Sequence, residues 1–118
     1  MVLFRLIGAP VNHQVKTLDD IIAAARPVFQ KYSIRKVILF GSFAKGRQTR
    51  KSDIDLILIQ DTDKRYFDRF EGILVDLYQS LRGRDIEVFI YTPKEFESIS
   101  QRKFIQTAVS EGRVIYEC

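Results

Sequence analysis

Residues 36–56 read KVILFGSFAKGRQTRKSDIDL, and this stretch decides the fold that the rest of the chain must fit. Its first part, an apolar run over 36–40, is closed by the pair Gly41–Ser42, which predicts a strand that ends in a turn. Ten residues follow before a second apolar run begins, over 53–59. That run is apolar on both faces beyond its first turn, so we expect a central strand covered on both sides.

The residues before this stretch predict a helix over 18–32, because apolar side chains recur there at helical spacing. Thr17 and Asp20 form the pattern of an N-terminal capping box. Pro27 lies inside the helical pattern, and we expect it to kink or divide the helix. Residues 1–15 show no clear periodicity, and we expect an extended or poorly ordered segment there.

The residues after this stretch continue the alternation of helices and strands. They predict an amphipathic helix over 66–81, a strand over 85–91, a helix that begins at Thr92-Pro93, a helix over 102–111 closed by Gly112, and an edge strand over 114–116. Alternation at this short spacing favours the α/β (α+β) fold class over an all-α or all-β domain.

The composition limits the kinds of protein that this chain can be. Its 118 residues are typical of one domain, and we expect a single domain over 1–118. One cysteine excludes an internal disulfide, and one cysteine with one histidine cannot make a four-ligand zinc site. A Ser-His-Asp or Cys-His mechanism would depend on His13, which is far from any strand-end serine or cysteine. No apolar run reaches the roughly 20 residues that span a bilayer, so we expect a cytoplasmic protein with no membrane partner.

Two carboxylates open the second predicted strand. Side chains two residues apart on a strand share a face, so Asp53 and Asp55 project together while Ile54 faces the other way. Adjacent carboxylates repel each other unless a cation, a shared proton or solvent relieves the charge. Mg²⁺ prefers oxygen ligands and is usually held by one or two carboxylates together with substrate phosphates. We therefore predict that Asp53 and Asp55 bind magnesium.

A third carboxylate is expected from the strand over 85–91. Asp85 and Glu87 lie on the same face of that strand, and either could reach the aspartate pair if the two strands are neighbours. We choose Glu87, because it lies mid-strand between Ile86 and Val88. An ionisable group at that position needs a partner more than Asp85 does at the mouth of the strand.

The Gly-Ser pair and the basic residues after it form a candidate phosphate site. Gly41 permits a tight turn, and Ser42 offers a hydroxyl and opens a turn whose free amides can receive a phosphate. Among the basic residues that follow, Lys45 and Arg47 are the ones we expect to contact phosphate. The formal charge of +4, from 19 basic and 15 acidic residues, suits a phosphate-bearing partner but does not establish nucleic-acid binding.

A second Asp-x-Asp, over 61–63, repeats the spacing of the first. It falls between a predicted strand and a predicted helix among turn-forming residues, so we interpret Asp63 or Thr62 as a helix N-cap. Arg82 and Arg84 precede the third strand and could border the site, but we favour a structural role for both.

The Gly-Ser pair, the ten residues and the Asp-x-Asp after an apolar strand resemble the signature of the nucleotidyltransferase superfamily that includes DNA polymerase beta. The chain resembles most closely the small stand-alone members, the minimal nucleotidyltransferases, in its size, in the helix over 18–32 and in the ending Glu111–Glu117. The likeness covers roughly residues 18–117, and it implies a small mixed β-sheet with helices packed on it. Lys45 stands where the family often has arginine, and Glu87 where many minimal members have aspartate.

The resemblance implies a role for each motif residue. Gly41 and Ser42 would hold a nucleoside triphosphate, with ATP as the expected donor. Asp53, Asp55 and Glu87 would bind two Mg²⁺ ions, and Glu87 could also assist deprotonation of the attacking hydroxyl. The implied reaction transfers a nucleoside monophosphate to a hydroxyl and releases pyrophosphate.

The resemblance also implies a partner. Minimal members often pair with a small helical HEPN-domain protein, as the antitoxin of a toxin–antitoxin pair, and transfer AMP to a tyrosine of that partner. A chain of this length should borrow its substrate-gripping surfaces from a partner or from a second copy. Two alternatives stay open at this point: a non-catalytic binding module that neutralises its partner by contact, and a small-molecule nucleotidyltransferase of the aminoglycoside-modifying type.

Overall fold

Strands and helices alternate along the chain in the computed structural model, which describes residues 3–8 and 14–118. In chain order, the elements are β1 (Phe4–Leu6), α1 (Leu18–Lys31), β2 (Ile34–Phe40), β3 (Ile54–Gln60), a 3-10 helix (Tyr66–Phe70), α2 (Ile73–Ser80), β4 (Ile86–Tyr91), α3 (Pro93–Ile99), α4 (Lys103–Glu111) and β5 (Arg113–Glu117).

The strands of the described residues form one five-stranded mixed sheet in the order β1-β4-β3-β2-β5. The central strands β3 and β4 run parallel, whereas the other three pairs run antiparallel. The two-sided apolar run of β3 thus lies at the centre of the sheet, as its sequence predicts. The mixed α/β architecture expected from the alternating pattern is confirmed.

Helices cover both faces of the sheet. On one face, α1 and α2 contribute buried residues such as Ile21 and Leu77, which pack in one cluster with the residues of β3 and β4 that point to this side. On the other face, α4 places Ile105 in a second cluster with Ile57 and Phe89. The sheet is therefore the middle layer of three, and only its ends and edges are free to carry polar groups.

The first helix begins where the capping pattern predicts. The Thr17 side chain accepts a hydrogen bond from the Asp20 amide, and the Asp20 carboxylate accepts one from the Thr17 amide. Of the two effects expected of Pro27, division of the helix is wrong, since α1 runs without interruption from residue 18 to residue 31, and a kink stays a prediction. Both Pro27 and Ala23, whose carbonyl loses its helical donor, are solvent-exposed, so water can replace the missing bond.

The predicted helix over 66–81 is divided. A 3-10 helix over Tyr66–Phe70 precedes α2, and Gly72 between them has a φ angle of +80°. A φ of this sign is strained for residues with a side chain, which explains why the chain uses glycine to turn here. The apolar spacing continues across the break, so periodicity alone does not reveal it.

The C-terminal elements agree with their sequence signals. Thr92 and Glu95 form a reciprocal capping box at the start of α3, and Pro93 occupies its first position. α4 ends at Gly112, and β5 follows as an edge strand beside β2. A Cβ on Gly112 would overlap the carbonyl of Ala108, so only glycine lets the chain leave the helix so close to its last turn.

The N-terminal segment contributes one strand that the sequence did not reveal. Residues 4–6 form β1, which extends the sheet beside β4. The expectation for 1–15 otherwise falls partly on residues 1, 2 and 9–13, which include His13 and lie outside the described residues. Within the part of the chain that the structure describes, no helix has the length and apolar character needed to cross a membrane.

Candidate active site

Three carboxylates from two neighbouring strands converge at one end of the sheet. Asp55 on β3 lies directly beside Glu87 on β4 in the parallel register, so both side chains lie on the same face. Asp53, two residues before Asp55, joins them from the end of the loop that leads into β3. One oxygen from each of the three carboxylates lies within 4.8 Å of the others.

The cluster lies where the apolar cover of the sheet ends. Two residues further along the same strands and on the same face, Ile57 and Phe89 are buried in the second core cluster. Asp55 and Glu87 are only half-buried. The carboxylates are therefore held by rigid, well-packed strands but remain accessible to a ligand from solvent.

Gly41 brings the turn after β2 against the cluster. It follows Phe40, which pairs with Asp55 across β2 and β3, and its φ angle is +79°. A Cβ at this position would overlap the Asp55 carboxylate. Glycine is therefore required at this position for two reasons, the backbone conformation and the close approach to a carboxylate.

The turn over 41–47 is held by its own backbone. The amides of Ala44 and Lys45 donate to the Gly41 carbonyl, and the Arg47 amide donates to the Ser42 carbonyl at 2.9 Å. The donors of these bonds begin at residue 44, which is the arrangement at the start of a helical turn, where the first amides can serve an anion.

The predicted basic residues of this turn differ in their surroundings. The ammonium group of Lys45 lies 3.2 Å from the Glu111 carboxylate at the end of α4. The side chain of Arg47 is exposed at the same turn. Both residues are placed beside the Gly-Ser pair, and their contact with phosphate stays a prediction.

Burial and like charge change the acidity of the cluster. The pKa of Asp55 rises from 3.8 to about 7, because the carboxyl is partly buried, hydrogen bonds to Glu87 and is repelled by the charges of Glu87 and Asp53. A shared proton or a bound cation would relieve the repulsion between these carboxylates. The cluster therefore has the electrostatic character that the sequence predicts for a metal site.

The donor set also fits a hard divalent cation. All three groups offer carboxylate oxygens, which Mg²⁺ prefers; Asp55 and Glu87 are held on two paired strands, and Asp53 directly precedes one of them. Three protein ligands leave coordination positions for substrate phosphates and water. Asp53, Asp55 and Glu87 are thus the residues that could hold the ion.

Arg5 is the residue at this site that the sequence reasoning missed. It pairs with Glu87 across β1 and β4, so its side chain lies on the carboxylate face. Its guanidinium donates to Asp53 at 3.0 Å, to Asp85 at 2.9 Å and to Glu87. The hydrogen bond to Asp53 is the largest of the effects that raise the pKa of Arg5. An arginine that interrupts a short apolar run was the available signal, because a charge on a strand needs a partner.

The structure separates the two carboxylates of the strand over 85–91. Glu87 faces Asp55, whereas Asp85 accepts hydrogen bonds from Arg5 and from the backbone amide of Gly8 at 2.8 Å. The grouping with Asp53 and Asp55 therefore favours Glu87, and Asp85 anchors the N-terminal segment instead.

Arg84 supports the site from behind. Its side chain is 3% exposed and donates to the carbonyls of Val15, Thr49 and Ser52, with the guanidinium over the ring of Phe43 at 4.9 Å. These contacts join three segments of backbone around the Gly-Ser turn and the loop before β3. The structural interpretation of Arg84 agrees with this arrangement.

The second Asp-x-Asp does not join the carboxylate cluster. Asp61 pairs with Arg35 at 3.4 Å, and the Thr62 hydroxyl accepts the Lys64 amide at 3.2 Å. The N-cap interpretation is wrong, because the 3-10 helix that follows is preceded by Arg65, with no side-chain cap. The segment is an irregular polar connection, in which the Thr62 hydroxyl serves one backbone amide before the helix begins.

A mixed sheet that presents three carboxylates beside a Gly-Ser turn defines the class of the protein as a nucleotidyltransferase. The family described as "Polymerase beta, Nucleotidyltransferase" matches residues 24–118, and the chain belongs to this family.

Three relatives from Methanocaldococcus jannaschii are each named "Putative protein adenylyltransferase". One is 29% identical over 107 residues, covering 88% of this chain and 99% of the relative. The second is 30% identical over 77 residues, covering 64% of this chain and 76% of the relative. The third is 32% identical over 78 residues, covering 53% of this chain and 78% of the relative.

Two solved structures share the fold at low sequence identity. One, described as "the toxin-antitoxin with AMP-PNP", has a TM-score of 0.60 and 19% identity, covering 82% of this chain and 73% of the other. The other, described as "a putative nucleotidyltransferase from Sulfolobus solfataricus", has a TM-score of 0.53 and 14% identity, covering 92% and 93%. Both similarities support the mixed α/β nucleotidyltransferase fold.

Proposed function

We propose that this chain is a Mg²⁺-dependent nucleotidyltransferase that transfers AMP from ATP to a hydroxyl of a protein. The observation that carries the proposal is the convergence of Asp53, Asp55 and Glu87 beside the turn that begins at Gly41. The names of the three archaeal relatives support a protein as the acceptor.

In this proposal the carboxylates and the turn divide the work. Asp53, Asp55 and Glu87 would hold two divalent cations, which stabilise charge on the attacking and leaving oxygens of an in-line displacement when bound. The turn at Gly41 and Ser42 holds the triphosphate, with the side chains of the basic residues after it beside the phosphates.

The chemistry left to the chain is positioning and proton handling. Glu87 accepts the proton of the attacking hydroxyl, a P–O bond forms between that oxygen and the α-phosphorus, and the bond to pyrophosphate breaks. Rigid placement of the carboxylates on paired strands suits this role, because phosphoryl and nucleotidyl transfer depend mainly on geometry and electrostatics.

We further propose that the acceptor is a helical HEPN-domain partner and that the two proteins form a toxin–antitoxin pair with this chain as antitoxin. The fold neighbour described as a toxin–antitoxin with a nucleotide analogue supports this direction. The carboxylate cluster is half-buried and open to solvent, so a hydroxyl on a second protein can approach it.

The test is transfer of label from α-labelled ATP, with Mg²⁺, to the proposed helical partner, for which the product of the neighbouring reading frame is the first candidate to examine. We expect label on that partner with the wild-type chain and its loss with Asp53→Asn combined with Asp55→Asn. The matched control combines Asp61→Asn with Asp63→Asn, which changes the second Asp-x-Asp and leaves the cluster intact. A complex that forms without any label would replace the enzyme with a module that neutralises its partner by contact.

A further inference from the structure

The guanidinium of Arg5 lies against the carboxylate cluster. Its guanidinium contacts Asp53 and Glu87, two of the three groups that could hold a metal ion. We propose that Arg5 is a tethered counter-ion of the cluster, which a divalent cation must displace before it can bind. This inference rests on the proposed function, because it requires that the cluster binds a metal.

The geometry makes the two cations competitors. The guanidinium uses carboxylate oxygens of Asp53 and Glu87 as acceptors. A divalent ion bound to the same groups would lie within a few ångströms of a positive charge, and the two would repel each other. Arg5 therefore lowers the affinity of the carboxylate cluster for a metal ion, and the reduction depends on the fraction of molecules in which Arg5 is bound to Asp53 and Glu87.

Asp85 gives the displaced guanidinium a second place to bind. One nitrogen of Arg5 already lies 2.9 Å from Asp85, a carboxylate outside the cluster of three. By moving toward Asp85, Arg5 can release Asp53 and Glu87 and keep a paired charge. Asp85 is itself fixed, since its other oxygen accepts the Gly8 amide.

The strand that carries Arg5 is held independently of the guanidinium. The ring of Phe4 packs on Phe70 with a centroid distance of 4.2 Å and on Phe67 at 5.7 Å. Gly8 passes so close to the Arg84 backbone that a Cβ would overlap it. Displacement is therefore a movement of one side chain, while β1 stays paired with β4.

The affinity of the full chain for Mn²⁺, measured by calorimetry without nucleotide, tests this inference. We expect Arg5→Gln to bind Mn²⁺ about tenfold more tightly than wild type, because the competing cation is gone. Arg5→Lys keeps the charge but loses the forked contact with two carboxylates, and we expect an affinity between the two. Arg35→Gln, which removes an exposed arginine paired with Asp61 on the same sheet, is the matched control and should bind as wild type.

A second measurement follows the empty protein. In EDTA, Arg5→Gln should melt at a lower temperature than wild type, because Asp53, Asp85 and Glu87 lose their counter-ion. Saturating Mn²⁺ should reduce this difference, because it neutralises the carboxylates of the cluster again. The same result shows that the variant folds.

Each contrary outcome points to a different error. Equal or weaker Mn²⁺ affinity of Arg5→Gln would overturn the inference and leave the proposed function standing. If Arg5→Gln binds Mn²⁺ more tightly but Arg5→Lys binds it as wild type does, Arg5 acts only through its positive charge and not through its forked contacts. That result would overturn the displacement. No Mn²⁺ binding by any variant would overturn both the inference and the metal-dependent function.

Discussion

Asp55 lies beside two other carboxylates, and its own carboxyl is partly buried. Both conditions raise the pKa of Asp55. In the folded chain the pKa of Asp55 is about 7, whereas the pKa of an unperturbed aspartate is 3.8. Folding therefore favours the protonated form, and the free energy of unfolding falls as the pH rises between these two values. The site thus lowers the stability of the metal-free protein at neutral pH.

Asp55→Asn should remove this pH dependence. In EDTA, we expect the substitution to raise the free energy of unfolding by about 2 kcal/mol more at pH 8 than at pH 4, a value reduced from the full linkage because Asp55 is partly exposed. Urea unfolding at both pH values measures it. Asp63→Asn, at an exposed position outside the cluster, is the control and should show no such pH dependence. An equal gain for Asp55→Asn at both pH values would contradict the raised pKa of Asp55.

The residues of the cluster were predictable, but their counter-ion was not. Alternation along each strand, a local property of the sequence, puts Asp53 and Asp55 on one face and offers Glu87 as the third group, whereas the pairing of the two strands had to be assumed. The place of Arg5 depends on the pairing of a three-residue strand with β4, some 80 residues away in the chain. Short strands carry little pattern, and nothing local specifies such a partner.

At the scale of elements, the sequence signals that depend on backbone chemistry were accurate at the reciprocal capping boxes but not at Pro27 or in the segment over 61–63. The capping pairs at Thr17 and Thr92 begin helices where they predict, and Gly112 ends one. The signals that depend on apolar spacing were less accurate, because spacing persists across the break at Gly72. At Pro27 the sequence predicts a break that is absent, because an exposed helix face tolerates the loss of one backbone hydrogen bond.

Gly72→Ala should destabilise the folded chain at the turn between the 3-10 helix and α2. A Cβ would lie 2.7 Å from the hydroxyl of Tyr32, which donates to Asp76 on α2, and the φ angle of +80° is itself unfavourable for alanine. We expect a loss of about 2–3 kcal/mol in the free energy of unfolding, measured in urea.

Gly46→Ala is the matched control for this substitution. Gly46 also has a positive φ, of +68°, but a Cβ there would meet nothing within 4 Å. Its loss should be smaller, about 1 kcal/mol, because only the backbone term remains. Equal losses for the two variants would show that the contact with Tyr32 has no effect on stability.

At the scale of the whole molecule, buried arginines join segments that no strand or helix connects. Arg84 ties the chain before α1 to the loop over 49–52 through three backbone carbonyls. Arg69, also buried, joins the 3-10 helix to Glu95 at the start of α3 and lowers the pKa of that carboxylate to about 2. Arg84 thus fixes the loops around the site, whereas Arg69 does the same at the opposite end of β4.

Arg84→Met should loosen these loops together. The substitution keeps an apolar stem but leaves the carbonyls of Val15, Thr49 and Ser52 without their donor, and we expect a loss of about 3 kcal/mol in the free energy of unfolding. Urea unfolding measures the loss, and hydrogen exchange over 49–52 should accelerate. Arg82→Met, at an exposed position two residues earlier, is the control, and equal stability of the two variants would contradict the role of Arg84.

The parallel pairing of β3 with β4 has a consequence for the order of folding. Antiparallel neighbours such as β2 and β3 are joined by one loop, whereas Asp55 meets Glu87 only after the intervening crossover with α2 is in place. Contacts between distant parts of a chain form late, because loop closure must precede them. We therefore expect the repulsion between Asp55 and Glu87 to arise only after most of the sheet has assembled, so that a nascent chain can first collapse around its apolar strands.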